Sequence, residues 1–119
     1  MPAPVRRSTR RLLSVSRSTP LLIGRNDMLA IAGYSVSSPR EPLDALILLQ
    51  HEDFRAVLIG HSVLPEEAET IAAKASVLRI PVIFVFQGRV AAPDWADISV
   101  DNDSGMGRLM DFLDQKTQE

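Results

Sequence analysis

Ala56-Val57-Leu58-Ile59-Gly60-His61-Ser62-Val63-Leu64-Pro65-Glu66-Glu67 is the stretch that decides the fold. Its first four residues form an uninterrupted apolar run between Arg55 and Gly60, as in a central strand of a parallel sheet buried on both faces. Leu64-Pro65-Glu66-Glu67 then reads as a helix start, with the proline early and two acids where the helix dipole favours negative charge. Ile71, Ala72, Ala75 and Leu78 supply the stripe that this helix would bury.

The same strand-turn-helix rhythm extends outward in both directions. Upstream, Leu12-Leu13-Ser14-Val15 suits a buried strand, and Thr19 and Pro20 suit an N-cap and first helical position. Leu21, Leu22, Met28, Leu29 and Ala32 recur at helical spacing, and Gly33 offers a stop. Tyr34 to Val36 reads as a short second strand, and Ser38-Pro39 as the opening of a second helix carrying Leu43, Leu46, Ile47 and Gln50 and ending near His51. Downstream, Pro81 to Phe86 reads as a fourth strand and Ile98 to Val100 as a fifth. Met106, Leu109, Met110 and Leu113 mark a closing amphipathic helix. Between those last strands, Gln87 to Ala96 contains Gly88 and Pro93, which argues against a regular helix there. Five alternations of strand and helix predict an α/β fold with a parallel sheet, right-handed crossovers and helices on both faces.

Composition narrows the class further. At 119 residues the chain is one domain's worth. With 45% hydrophobic and 24% charged residues it reads as an ordinary globular, cytoplasmic protein, and a formal charge of -2 gives no general reason to expect nucleic acid. The absence of cysteine excludes disulfides, thiolate nucleophiles and cysteine-ligated metal. No apolar run approaches the roughly 18 residues that a membrane span needs, and the N-terminus lacks a signal-peptide core. Arg6, Arg7, Arg10, Arg11 and Arg17 precede residue 20 without an acid among them. Residues 1–10 therefore read as a flexible basic arm and 11–119 as a single domain. Such an arm is ordinarily a solvated leader; the sharper reading is a patch for RNA or an acidic surface.

This layout, over about Arg11 to Gln115, resembles the receiver domain of bacterial two-component systems. The resemblance rests on the interval from the first strand to Gly33-Tyr34, the order of helix, third strand and Pro65, and the Pro81-Val82-Ile83 of the fourth strand. It implies a flavodoxin-like doubly wound sheet of strand order 2-1-3-4-5, here with the family's fourth helix shortened or missing. In receivers an acidic pair after the first strand binds magnesium, an aspartate ending the third strand accepts the phosphoryl group, a hydroxyl ends the fourth and a lysine ends the fifth. Carboxylates suit a hard cation, and cation plus lysine neutralise the transferring group. Here the acidic pair falls on Ser16 and Arg17, and the acceptor on Gly60 by strand register or on His61 by counting back from Pro65. The hydroxyl position is Phe86 and the lysine position Asp101. A guanidinium in place of a metal-binding acid repels Mg²⁺ and supplies no ligand oxygen. Phosphotransfer by the usual aspartate and magnesium route is therefore not expected, nor is any cofactor or metal. Arg17 and Asp101, taken as ending neighbouring strands, are expected to form an ion pair across the pocket.

Individual residues suggest sharper chemistry. His61 sits just past a central strand, where α/β sheets place ligands, but the sequence offers no partner for a phosphohistidine or a general base. Gly60-His61-Ser62-Val63-Leu64 lacks the second glycine of a nucleophile elbow. Asp101-Asn102-Asp103 begins like a calcium loop but lacks its twelfth-position glutamate. Glu66, Glu67 and Glu69 suit a solvated helix start. Phe86, Val90 and Trp95 either form an exposed contact surface, for a homodimer or another protein, or fill the space of the missing helix. The resulting expectation is a degenerate, stand-alone receiver-like module of phosphorelay-type signalling that acts by protein contact and is not an enzyme. The alternative is a small flavodoxin-like enzyme or anion-binding domain using the crevice around Ser16, Arg17, Gly60, His61 and Asp101.

Overall fold

The computed structural model describes residues 10–118. Five parallel strands, β1 (Arg11–Val15), β2 (Ser35–Ser37), β3 (Ala56–Gly60), β4 (Val82–Phe86) and β5 (Ile98–Asp101), form one sheet in the order β2-β1-β3-β4-β5. Four helices connect or close them: α1 (Thr19–Ile31), α2 (Ala45–His51), α3 (Pro65–Val77) and α4 (Met106–Gln118). The expected doubly wound α/β architecture is thus the one observed, and the segment between β4 and β5 carries no helix.

Alternation along each strand splits the core in two. Leu12, Ala56, Leu58, Ile83, Val85 and Val100 face α1 and α4 and pack with Leu29, Leu109 and Leu113. Leu13, Val15, Val57, Ile59 and Val82 face α2 and α3 and pack with Leu49, Phe54, Ile71 and Ala75. Every residue of β3 is buried, as its unbroken apolar run requires. Each fully buried Leu, Ile or Phe contributes on the order of 1.5–3 kcal/mol of transfer free energy.

Several boundaries differ from the sequence reading. Ser18 is the residue preceding α1, and Thr19 already lies inside the helix. α2 begins at Ala45, after a 3-10 turn over Pro42–Asp44, and not at Pro39. This later start turns Ala45 and Leu49 inward and leaves Leu43 and Ile47 exposed. Met28, one of the apolar residues at helical spacing in α1, is also exposed. Arg10 is not part of a free arm: its Nε and Nη2 donate to the carbonyls of Gly33 (2.9 Å) and Ala32 (3.2 Å). Its guanidinium also lies 4.2 Å from the centre of the Tyr34 ring. The rest of the basic arm, residues 1–9, lies outside the described residues.

Two glycines fix the loops beside the sheet. Gly33 takes φ +96 just beyond α1, a left-handed stop that a side chain would strain. Gly105 begins the turn into α4 so close to β5 that a Cβ there would stand 2.6 Å and 2.7 Å from the backbone N and O of Asp101.

Candidate functional site

In this strand order the chain reverses direction of winding between β1 and β3, and the crevice outside their carboxyl ends is where open α/β sheets place ligands. The register defines what stands there. Val15 lies opposite Ile59 and Gly60 opposite Val85, while Phe86 lies opposite Asp101. The His61 N–H donates to the Val85 carbonyl at 2.9 Å, so the ladder continues one residue beyond β3. The row that holds Phe86 and Asp101 therefore passes through His61, and Arg17 stands beside its end, two residues past β1, with its N–H on Ser62 Oγ. Gly60 belongs to the row below, beside Ser16.

The pair expected between Arg17 and Asp101 does not form. β1 and β5 are separated by β3 and β4, roughly 14 Å of sheet at ordinary strand spacing. Arg17 instead turns toward α3, donating from Nη2 and Nε to Glu67 at 2.7 and 3.2 Å, with Glu41 3.9 Å away on the other side. The hydrogen bond to Glu67, with the charges of Glu67 and Glu41, raises the Arg17 pKa above its ordinary value. Asp101 spends its Oδ1 on the backbone N–H groups of Asp103 (2.7 Å) and Ser104 (3.2 Å), holding the turn into α4.

Hydroxyls occupy the centre. Ser16 Oγ lies 3.1 Å from Ser62 Oγ and accepts from the Ser18 N–H at 3.0 Å, while Ser62 Oγ accepts from the Arg17 N–H at 3.0 Å. These bonds tie the loop after β1 to the loop after β3 without charge. Phe86 stacks on Phe84 (6.1 Å between centres), and Trp95 meets Phe84 edge-on at 5.6 Å. Trp95 is half-buried against the α2–α3 core, whereas Val90 is 41% exposed.

One residue at the crevice escaped the sequence reading. Arg25, on α1, is only 3% exposed. Its Nε donates to Ser14 Oγ at 3.0 Å and its Nη2 to the Val15 carbonyl at 3.2 Å, and no carboxylate pairs with it among the described residues. Burial pushes its pKa down to about 10, which still leaves a cation at neutral pH. The available signals were Ser14, a polar residue inside a buried strand, and the position of Arg25 three residues after Leu22 and four before Leu29 on the inward face of α1.

The donor set does not fit a magnesium ion. Arg17 projects positive charge at the end of β1, Ser16 is committed to hydroxyl and backbone bonds, and Asp101 is turned into its own loop. Among the described residues no group of three or more His, Asp or Glu is placed to hold a metal.

The architecture is that of CheY-like response-regulator receiver domains. It is similar to a CheY-like receiver domain protein from Methanospirillum hungatei, with TM-score 0.74 and 18% identity over 93% of this chain and 98% of that one. A response regulator receiver protein from Sinorhizobium medicae gives TM-score 0.74 and 16% identity over 93% and 96%. The receiver domain of a sensor histidine kinase from Pseudomonas aeruginosa, which coordinates a magnesium ion in its active-site cleft, gives TM-score 0.77 and 12% identity over 94% and 100%. No protein-family model and no curated protein sequence matches the chain. Among the described residues, no helix is long and apolar enough to cross a membrane.

Proposed function

We propose that this chain is a receiver-like signalling module of the cytoplasm that works by protein contact and takes up no phosphoryl group by the aspartate and magnesium route. The observation that carries this reading is the strand-end row His61, Phe86, Asp101 with Arg17 beside its end, where an ion pair to α3 and a capped turn stand in place of a cation site. A hard dication needs several oxygen ligands free to turn toward it. Two acids here, Glu67 and Asp101, are already engaged with Arg17 and with backbone N–H groups.

The surface proposed for contact is the end of β4 and the segment after it, where Val90 is exposed and Phe86 and Trp95 are half-buried. A second copy of this chain is the simplest occupant, giving a homodimer. Light scattering across protein concentration tests it. A dimer that Val90→Glu returns to monomer supports self-association through this segment; a monomer at every concentration sends the contact to a different protein; and a dimer indifferent to Val90→Glu removes this surface from the account.

A further inference from the structure

Arg25 poses a question that the fold does not answer by itself. A guanidinium buried without a counter-charge is costly, and natural proteins pair such groups or bind an anion beside them. Two of its nitrogens are bonded to β1, but Nη1 has no hydrogen-bond partner among the described residues. That nitrogen lies 3.5 Å from where a Cβ would stand on Gly60, so the missing side chain of Gly60 leaves open space in front of it.

The space is a small crevice at the β1–β3 switch point, lined by Arg25 with Ser16, Gly60, His61, Ser62, Val85 and Asn102. Its volume of about 10 Å³ has room for one water-sized particle. Two further groups there are suited to an anion. The Ser16 and Ser62 hydroxyls hold two hydrogens, of which their mutual bond uses one: when Ser62 donates to Ser16 the other goes to the Ser18 carbonyl, 3.3 Å from Ser16 Oγ, and when Ser16 donates to Ser62 the Ser62 hydrogen is left for the crevice. Asn102 also lines the crevice, and its amide NH₂ is a donor of the kind an anion takes.

We propose that this crevice binds a small monatomic anion of the chloride class, held by Arg25 Nη1 with a serine hydroxyl and the Asn102 amide. The small size of the cavity selects the class: a monatomic ion is far nearer to it in size than a tetrahedral phosphate or sulfate. The bound ion neutralises Arg25 and fastens β1, β3 and the loop after β5 together at the ends of the strands. Arg17 takes no part, since it is engaged with Glu67 outside the crevice.

Sodium bromide is the probe. The thermal midpoint of the full chain is followed in bromide against sodium gluconate at equal ionic strength, and crystals grown in bromide are examined for an anomalous peak. The proposal expects saturable stabilisation by bromide and a peak between Arg25, Gly60 and Asn102. Arg25→Met, with circular dichroism to verify folding, should weaken bromide binding by about tenfold or more, the scale of one lost charge-assisted hydrogen bond. Gly60→Ala keeps the cation but fills the space. Its Cβ would make ordinary contacts of 3.4 Å to Ser16 Oγ and 3.5 Å to Arg25 Nη1, so it should fold and still lose bromide binding. A response no different from gluconate, a crevice holding only water, or bromide binding that survives Gly60→Ala would each overturn the proposal. So would Arg25-dependent binding of inorganic phosphate in place of bromide.

Discussion

Arg17 at the end of β1 and Glu67 in the first turn of α3 are joined side by side, Nη2 to Oε2 at 2.7 Å and Nε to Oε1 at 3.2 Å. The fork-to-fork geometry ties the loop after β1 to the helix after β3. Arg17 is 40% exposed and Glu67 14%. The pair therefore sits where solvent screens much of its attraction. Arg17→Ala and Glu67→Ala should each lower the urea midpoint only slightly, as exposed ion pairs do. The double-mutant coupling from urea titrations should shrink in high salt. A coupling near zero already at low salt would mean that the pair ties nothing together.

Gly105 should tolerate no side chain. Its Cβ would meet the backbone of Asp101, which is held by strand pairing with Phe86 and cannot swing away as a flexible side chain would. Gly105→Ala is expected to cost about 1–3 kcal/mol, as overpacking does, seen as a lower urea midpoint. An unchanged midpoint would show that the turn into α4 relaxes freely.

Arg79 lies just past α3 with φ 61, the one non-glycine residue with positive φ among the described residues. Side chains resist this conformation by roughly 1–2 kcal/mol, and glycine does not. Arg79→Gly should therefore raise stability by up to about 1 kcal/mol after the added freedom of the unfolded chain is counted. A loss of stability would reveal a role for the arginine side chain.

Trp95 and Val90 should separate packing from contact. Trp95 meets Phe84 edge-on and covers core left open by the absent helix, so Trp95→Ala should cost about 2 kcal/mol, less than a fully buried aromatic. Val90→Glu should leave the unfolding midpoint within about 0.5 kcal/mol of the parent, as an exposed site allows. The reverse ranking would exchange their roles.

What could be read from the sequence follows from how local each determinant is. β3 and the start of α3 were legible because an unbroken apolar run and a Pro-Glu-Glu start act within a few residues. The start of α2 was not, because Pro39 and Pro42 satisfy the same first-turn rule, and only tertiary structure shows that Pro42 is the buried one. The partner of Arg17 was not legible even with the strand order in hand: that order already separates β1 from β5, and so Arg17 from Asp101, while Glu67, which Arg17 meets instead, is fifty residues away in sequence. Arg25 was missed because the apolar pattern of α1 distracts from it: exposed Ile23, Met28 and Ile31 share the helix with a buried arginine.

The central claim is that the strand-end row no longer accepts a phosphoryl group. Incubation with acetyl phosphate and Mg²⁺, read by intact mass beside a receiver that keeps its aspartate, tests it most directly. The account predicts an unmodified chain while the control gains its adduct. A stoichiometric phosphoryl adduct on this chain would contradict it.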